Sequence, residues 1–286
     1  MTAPSMCETT KGAGAKSEGA IDFVHRDVVP GEAPGRRARL GLLLLATDYV
    51  TEREAMDMIP RLGPGGDDLA WFTSRVPNAN PVTVANLRAM AGELERAAAT
   101  ILPGDRLDAL AYSCTSGTLA MGIAETRAHM AAARPGVPAT TPPSAIRAAF
   151  KALGVRRLAV LAPYTAEVNR LIADFLTGDG FEIVAYTAFD LDSDPAMSGV
   201  TAADIAAAGA AADRPEAEAL FISCTALRAV GCIAPLEARL GKPVVTSNQA
   251  LFWHALRLAG VNGALAGHGR LLDLTLDGHP CSEDLA

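Results

Sequence analysis

Two stretches of this 286-residue chain carry the same potential chemistry. Asp108-Ala-Leu-Ala-Tyr-Ser-Cys-Thr115 and Glu218-Ala-Leu-Phe-Ile-Ser-Cys-Thr225 share an acid, then Ala-Leu, then Ser-Cys-Thr. Cys114 and Cys224 therefore stand at equivalent points of an internal echo, each where an apolar strand gives way to small hydroxyl residues. The end of a parallel strand, beside the N-terminus of the next helix, presents unpaired N–H groups and aligned peptide dipoles. Such a position favours a thiolate and can also receive a substrate carboxylate. Ser113, Thr115, Ser116 and Thr118 around the first cysteine, and Ser223 and Thr225 around the second, supply further donors. If the two halves face each other, one thiol stands on each side of a bound carboxylate. A pair placed so can remove a proton from a carbon on one face and return it on the other, as a racemase or epimerase does. Alternatively, one thiolate adds to a carbon–carbon double bond, the adduct rotates, and elimination gives the geometric isomer.

The strand–helix pattern suits that arrangement. The continuous apolar run Leu40–Ala46 reads as a strand buried on both faces, and Leu158–Ala162 echoes it in the second half. Helices are expected at Glu52–Ile59, at Thr83 to about Leu102, and at Gly122–Met130, Ser144–Leu153, Ala166–Thr177, Thr201–Ala212, Ile233–Leu240 and Asn248–Leu258. Between them fall strands at Trp71–Val76, within Leu107–Thr118 (breaking at its small polar residues), and at Arg157–Ala162, Phe181–Thr187, Ala219–Ser223 and Pro243–Thr246. The alternation predicts an α/β fold with parallel sheets and right-handed crossovers. The expected divisions are a flexible arm over 1–37, a first α/β domain from 38–139 plus 250–275, a second over 140–249, and a tail over 276–286.

Composition narrows the function classes. With 25 basic against 32 acidic residues, a net charge of −7 disfavours nucleic acid as a partner. No apolar run approaches the ~20 residues needed to span a bilayer. Glu8, Lys11, Lys16, Glu18 and Asp22 near the start lie in no apolar stretch, so no secretory signal is expected. Five scattered cysteines make no disulfide framework and point to a reducing cytoplasm. Cys7, Cys232 and Cys281 read as incidental, and no cysteine or histidine spacing suggests a metal. Gly12-Ala-Gly14 and Gly267-His-Gly269 lack the strand context of a dinucleotide loop, and Gly63-Pro-Gly-Gly66 lacks the Lys-Ser/Thr ending of a phosphate loop. His254, next to Trp253 on an amphipathic helix, reads as structural. Arg228 and the loop residues Asn78 and Asn80 could serve a ligand or merely a surface and a turn.

Several motifs together resemble the maleate isomerase and arylmalonate decarboxylase branch of the aspartate–glutamate racemase superfamily. They are Leu40–Asp48 with Thr51-Glu52, Ser113-Cys-Thr-Ser-Gly-Thr118, Thr140-Thr-Pro-Pro143, Leu161-Ala-Pro-Tyr164, Ser223-Cys-Thr-Ala-Leu-Arg228, and Thr246-Ser-Asn-Gln249 with Trp253. Within that branch the chain most resembles the ectoine-utilization Asp/Glu racemase-like proteins. The resemblance implies two pseudo-symmetric flavodoxin-like domains, an interdomain cleft, no cofactor and a homo-oligomer. It also implies that Cys114 and Cys224 are the catalytic pair, with Cys224 the nucleophile, and that Tyr164 binds substrate. Decarboxylases of the branch keep only the second cysteine, so Cys114 points to isomerase or racemase chemistry. Asp48, Thr115, Ser116, Thr225 and Ala226 complete the expected substrate-binding set.

Two departures bear on the substrate. Isomerases carry a Ser-Asn-Thr type turn after the first strand, where this chain has Thr47-Asp48-Tyr49. They also carry an asparagine in a second-half loop that here offers only Asp192, Ser193 and Asp194. An ionised Asp48 repels a carboxylate and suits an ammonium or amidinium. The expected substrate is thus a small carboxylate bearing positive charge, an amino acid or an ectoine-derived compound. Geometric isomerisation of a maleate-type substrate, a single-thiol decarboxylase or lyase relying on Cys224, and a non-catalytic carboxylate-binding protein are the alternatives.

Overall fold

A strand apolar on both faces is stable only inside a sheet covered on both sides. In the computed structural model, which describes residues 23–58 and 68–281, the run of leucines lies in such a place. β1 (Ala38–Leu45) pairs in parallel with β2 (Leu69–Val76) and β3 (Ala109–Tyr112), and β4 (Ala139–Thr140) completes the order β2-β1-β3-β4. A second parallel sheet repeats the plan. There β5 (Arg157–Tyr164) lies between β6 (Glu182–Leu191) and β7 (Ala219–Ile222), followed by β8 (Val244–Thr246), in the order β6-β5-β7-β8. Leu42–Leu44 and Leu158–Ala162 are fully buried.

The helices repeat as well. In the first half α1 (Thr51–Met58) follows β1, α2 (Val84–Ala89) and α3 (Ala91–Ala99) follow β2, and α4 (Thr115–Met121) and α5 (Ile123–Ala133) follow β3. α6 (Pro142–Leu153) leads into the second half. There α7 (Ala166–Gly178) follows β5, α8 (Asp194–Gly199) and α9 (Ala202–Ala212) follow β6, α10 (Ile233–Leu240) follows β7, and α11 (Ser247–Leu258) follows β8. The described residues from Ala33 onward form one compact unit, and residues 23–32 before it take no helix or strand. Cys7, Gly12-Ala-Gly14, Ile59 and Gly63-Pro-Gly-Gly66 lie outside the described residues.

The echoed octapeptides do the same structural work atom for atom. Asp108 donates its N–H to Arg39 O at 2.9 Å and accepts from Arg39 N at 2.8 Å, while Glu218 exchanges the matching bonds with Arg157 at 2.8 and 3.0 Å. Ser113 N–H reaches Leu43 O, and Ser223 N–H reaches Leu161 O, both at 2.8 Å. Each half thus delivers its cysteine from the strand next to the central one, in the same register.

One expected helix needs correction, and two short elements were not expected. The helix expected from Thr83 to about Leu102 is two, broken at Met90 beside Gly92, a poor helix former, with the Met90 side chain turned into the interior. The strand within Leu107–Thr118 breaks at its small polar residues, ending at Tyr112 where Cys114 caps α4. β4 is too short to show a period. α8 begins at Asp194-Pro195, where the proline sits in the first turn and its missing N–H costs nothing.

The two halves are sewn together behind the cysteines. Ser247, fully buried at the start of α11, accepts hydrogen bonds on one oxygen from Thr115 Oγ1 at 3.0 Å and from Cys224 N–H at 3.1 Å. Thr225 Oγ1 donates to Ser113 O at 3.3 Å, and Asn248 Nδ2 donates to Thr225 O at 2.9 Å. Thr246 and Gln249 close a capping box that fixes where α11 starts. Ser247→Ala strands the Cys224 N–H and the Thr115 hydroxyl in the interior, and is expected to cost about 1–3 kcal/mol in urea unfolding. Wild-type stability in that variant would show that the serine does not hold the seam.

Candidate active site

Cys114 enters the site as the N-cap of α4, its sulfur accepting the Gly117 N–H at 3.2 Å. Gly117 is what leaves room for it. A Cβ there would fall 2.7 Å from the Cys114 sulfur and 2.6 Å from the Met90 methyl. Cys224 is held differently, at φ +97°, a region that side-chain-bearing residues rarely adopt. Its N–H is tied to Ser247 and its sulfur accepts the Ala226 N–H at 3.3 Å. The same sulfur lies 3.8 Å from Met197 Sδ.

Cys114, Ser116, Tyr164, Cys224, Thr225 and Ala226 line one cavity of about 20 Å³, room for roughly a single water. Asp48 and Asp194 also stand in its wall, and Leu45, Val82, Leu87 and Met90 make an apolar side. Of the residues expected from sequence to bind substrate, only Thr115 is absent from the wall; its hydroxyl is committed to Ser247. Among the described residues no lysine, arginine or histidine lines the cavity.

Burial pushes both thiols up to about 12. Against that, the Gly117 N–H favours the Cys114 thiolate, and the Tyr164 hydroxyl and Ala226 N–H favour that of Cys224. Negative charge on Asp194 opposes ionisation of both sulfurs, and a charged Cys114 opposes that of Cys224. Burial also carries the Tyr112 and Tyr164 phenols well above their ordinary range, so both stay protonated.

The two carboxyls differ in their partners. Asp48 Oδ1 accepts the N–H groups of Val50 and Thr51, both at 2.7 Å, and its Oδ2 accepts the Thr51 hydroxyl at 2.6 Å. It thereby organises the turn into α1. Burial raises its pKa, and those bonds work against the rise. Asp194 is gripped by the opposite half: its Oδ2 accepts the Thr47 hydroxyl and, at 3.1 Å, the Asn78 amide. Its N–H donates to Asn80 Oδ1 at 3.2 Å. Burial raises the pKa of Asp194 too.

Asn78 and Asn80 thus bridge the halves, and Asn78 lines the cavity. Their position in a proline-bounded loop was the only sequence signal. Ser247 gave none beyond membership of Thr246-Ser-Asn-Gln249. Glu54, partly buried and raised to about 7, accepts from Val230 N–H and Asn248 Nδ2 behind the second cysteine turn. Arg228 lies outside the cavity and donates to Val200 O. His254 is lowered to about 4 by burial, exchanges a 2.7 Å hydrogen bond with Thr140 and stacks on Trp253. Cys232 donates to Ala202 O, and Cys281 accepts from Arg257, both away from the site. Among the described residues no group of three or more His, Cys, Asp or Glu could hold a metal ion, and no helix is long and apolar enough to cross a membrane.

The chain is similar to known proteins over much of its length. Residues 96–272 match the family model of arylmalonate decarboxylase. The chain is 37% identical over 142 residues to arylmalonate decarboxylase of Bordetella bronchiseptica, a match covering 48% of this chain and 59% of that enzyme. It is 25% identical over 242 residues to maleate isomerase of Pseudomonas putida, covering 82% of this chain and 96% of that one. A solved mutant of Nocardia farcinica maleate cis-trans isomerase with a covalently bound succinylcysteine intermediate shares the fold, with a TM-score of 0.75 at 21% identity, covering 82% of this chain and 98% of that one. With the family model spanning more than half of its length, the chain belongs to the arylmalonate decarboxylase family.

Proposed function

We propose that this protein is a cofactor-independent isomerase or racemase in which Cys114 and Cys224 act from opposite sides of a small carboxylate. The observation that carries this reading is that two thiols, delivered by equivalent strands of two equivalent halves, line one cavity. In this reading the thiolate of one cysteine takes the proton from the carbon beside the substrate carboxylate. The electron pair left behind delocalises into that carboxylate. The thiol opposite then delivers its own proton to the other face, so the pair ends with its charge exchanged. Burial suits half of this task, since it keeps the proton donor protonated, and the Gly117 and Ala226 N–H groups assist whichever sulfur must ionise. The hydroxyls of Ser116 and Tyr164 are the donors for the substrate carboxylate, and the Thr225-Ala226 turn supports the second sulfur. A small carboxylate needs more space than one water, so it enters only when the walls part.

The substrate in this reading is an amino acid or an ectoine-derived compound, because the wall holds two carboxyls and, among the described residues, no basic side chain. The protein works in the cytoplasm, where its thiols stay reduced. A second reading has support from the relatives named maleate isomerase and from the succinylcysteine seen in one of them. There the Cys224 thiolate forms a carbon–sulfur bond with a double-bonded carbon, and elimination after rotation breaks it again.

Incubation with a panel of chiral carboxylates and with maleate in deuterium oxide separates these. Deuterium at the alpha carbon is expected from the wild type, and Cys114→Ser and Cys224→Ser are each expected to slow it by about 10²-fold or more. Geometric isomerisation of maleate supports thiol addition instead. Loss of turnover confined to Cys224→Ser supports a single-thiol decarboxylase, and ligand binding without any turnover supports a binding protein.

The pH profile is a separate prediction. A thiol raised to about 12 is almost wholly protonated at neutrality, and its thiolate fraction grows with rising pH. Turnover under subsaturating substrate is therefore expected to rise about tenfold per pH unit between about pH 6 and pH 9. A flat profile over that interval contradicts catalysis by these thiols in their buried setting.

A further inference from the structure

We infer that Asp194 is the group that selects the substrate, by pairing with an ammonium or amidinium at the end of the molecule remote from its reacting carboxylate. The inference rests on the two-thiol reading for what is done to the substrate, though its binding part stands without that reading.

Two carboxyls reach the cavity, and their hydrogen bonds assign them different tasks. Asp48 is largely committed. Three donors from Val50 and Thr51 occupy both of its oxygens, and removing them would unmake the start of α1. Asp194 is 6% exposed, and both donors that reach its side chain, the Thr47 hydroxyl and the Asn78 amide, go to Oδ2. Among the described residues no donor reaches Oδ1. Oδ1 keeps some contact with solvent, so its acceptor capacity is open to a ligand in the cavity.

The carboxylate is also fixed in place. Thr47 and Asn78 hold it from the first half, and Asn80 holds its backbone N–H. A preorganised, unsaturated anion facing a cavity that contains no basic side chain is a receptor for a cation. A dicarboxylate would bring a second negative charge against it with nothing to neutralise the pair. Leu45, Val82 and Leu87 add only apolar surface to the wall. There is a catalytic corollary. The charge of Asp194 opposes ionisation of both sulfurs, and a substrate cation placed on it relieves that opposition at the moment the site is filled.

The test uses the full-length protein and two probes of equal chain length, β-alanine and succinate, which differ in having an ammonium or a second carboxylate at one end. Isothermal calorimetry at millimolar ligand is expected to show tighter binding of β-alanine by the wild type. Asp194→Asn keeps an oxygen for Thr47 and Asn78 but loses the charge, and is expected to erode that preference about tenfold or more. Asp48→Asn is expected to move the ratio less than about threefold, as its oxygens are already committed. Succinate binding as tightly as β-alanine, undetectable β-alanine binding, or an unchanged ratio in Asp194→Asn overturns the inference. Should that variant not fold, the wild type decides alone: N-acetyl-β-alanine, which lacks the charge, must bind more weakly than β-alanine, and equal affinity overturns the proposal. Failure here is separable from failure of the reaction. Deuterium exchange without cation preference removes only the role of Asp194, whereas cation preference without exchange removes only the two-thiol chemistry.

Discussion

One oxygen holds the arrangement together. Ser247 Oγ accepts from the hydroxyl of the residue after Cys114 and from the backbone N–H of Cys224, so the two turns that carry the thiols share a single acceptor. Because that serine is the first residue of α11, the place where the helix begins sets the spacing between the two halves at the site. The capping box at Thr246 and Gln249 fixes this starting point, and the buried bulk of Phe252 and Trp253 then anchors the helix among its neighbours. A displacement of α11 would be felt by both sulfurs at once.

Around this tie the electrostatics are economical. Among the described residues nothing basic reaches the cavity, so no fixed cation holds either sulfur ionised. Backbone N–H groups, one per sulfur and directed by helix and turn geometry, are local stabilisers alongside neighbouring hydroxyls such as that of Tyr164. Dry surroundings keep both thiols protonated until something enters. Such a site avoids a permanently reactive thiolate, whose exposure invites oxidation.

Much of this was legible in the amino-acid order. The shared acid-Ala-Leu and Ser-Cys-Thr pattern disclosed the duplicated half, because strand register forces equivalent residues into equivalent bonds, and Asp108 and Glu218 make theirs to Arg39 and Arg157. The apolar strands were equally plain, since burial on both faces leaves few choices of residue type. The bridging residues were not legible. Thr47, Asn78 and Asp194 are far apart in the chain and meet only when the halves dock, so neither period nor spacing links them. Asp48 could be placed near the site but not assigned a task, because its engagement with Val50 and Thr51 depends on a turn that no pattern specifies. The break at Met90 was hidden because both sides of it read as helix.

The backbone at residue 224 has a consequence for anyone altering this protein. A φ of +97° is comfortable for glycine and uncomfortable for cysteine, so the fold carries a local penalty of order 1–3 kcal/mol at the position of one of its two sulfurs. Screening for hardier versions by heat or protease alone would reward the exchange that relaxes this torsion, and the winners would arrive stripped of a reactive group. Selection schemes for this fold must therefore score turnover and endurance together.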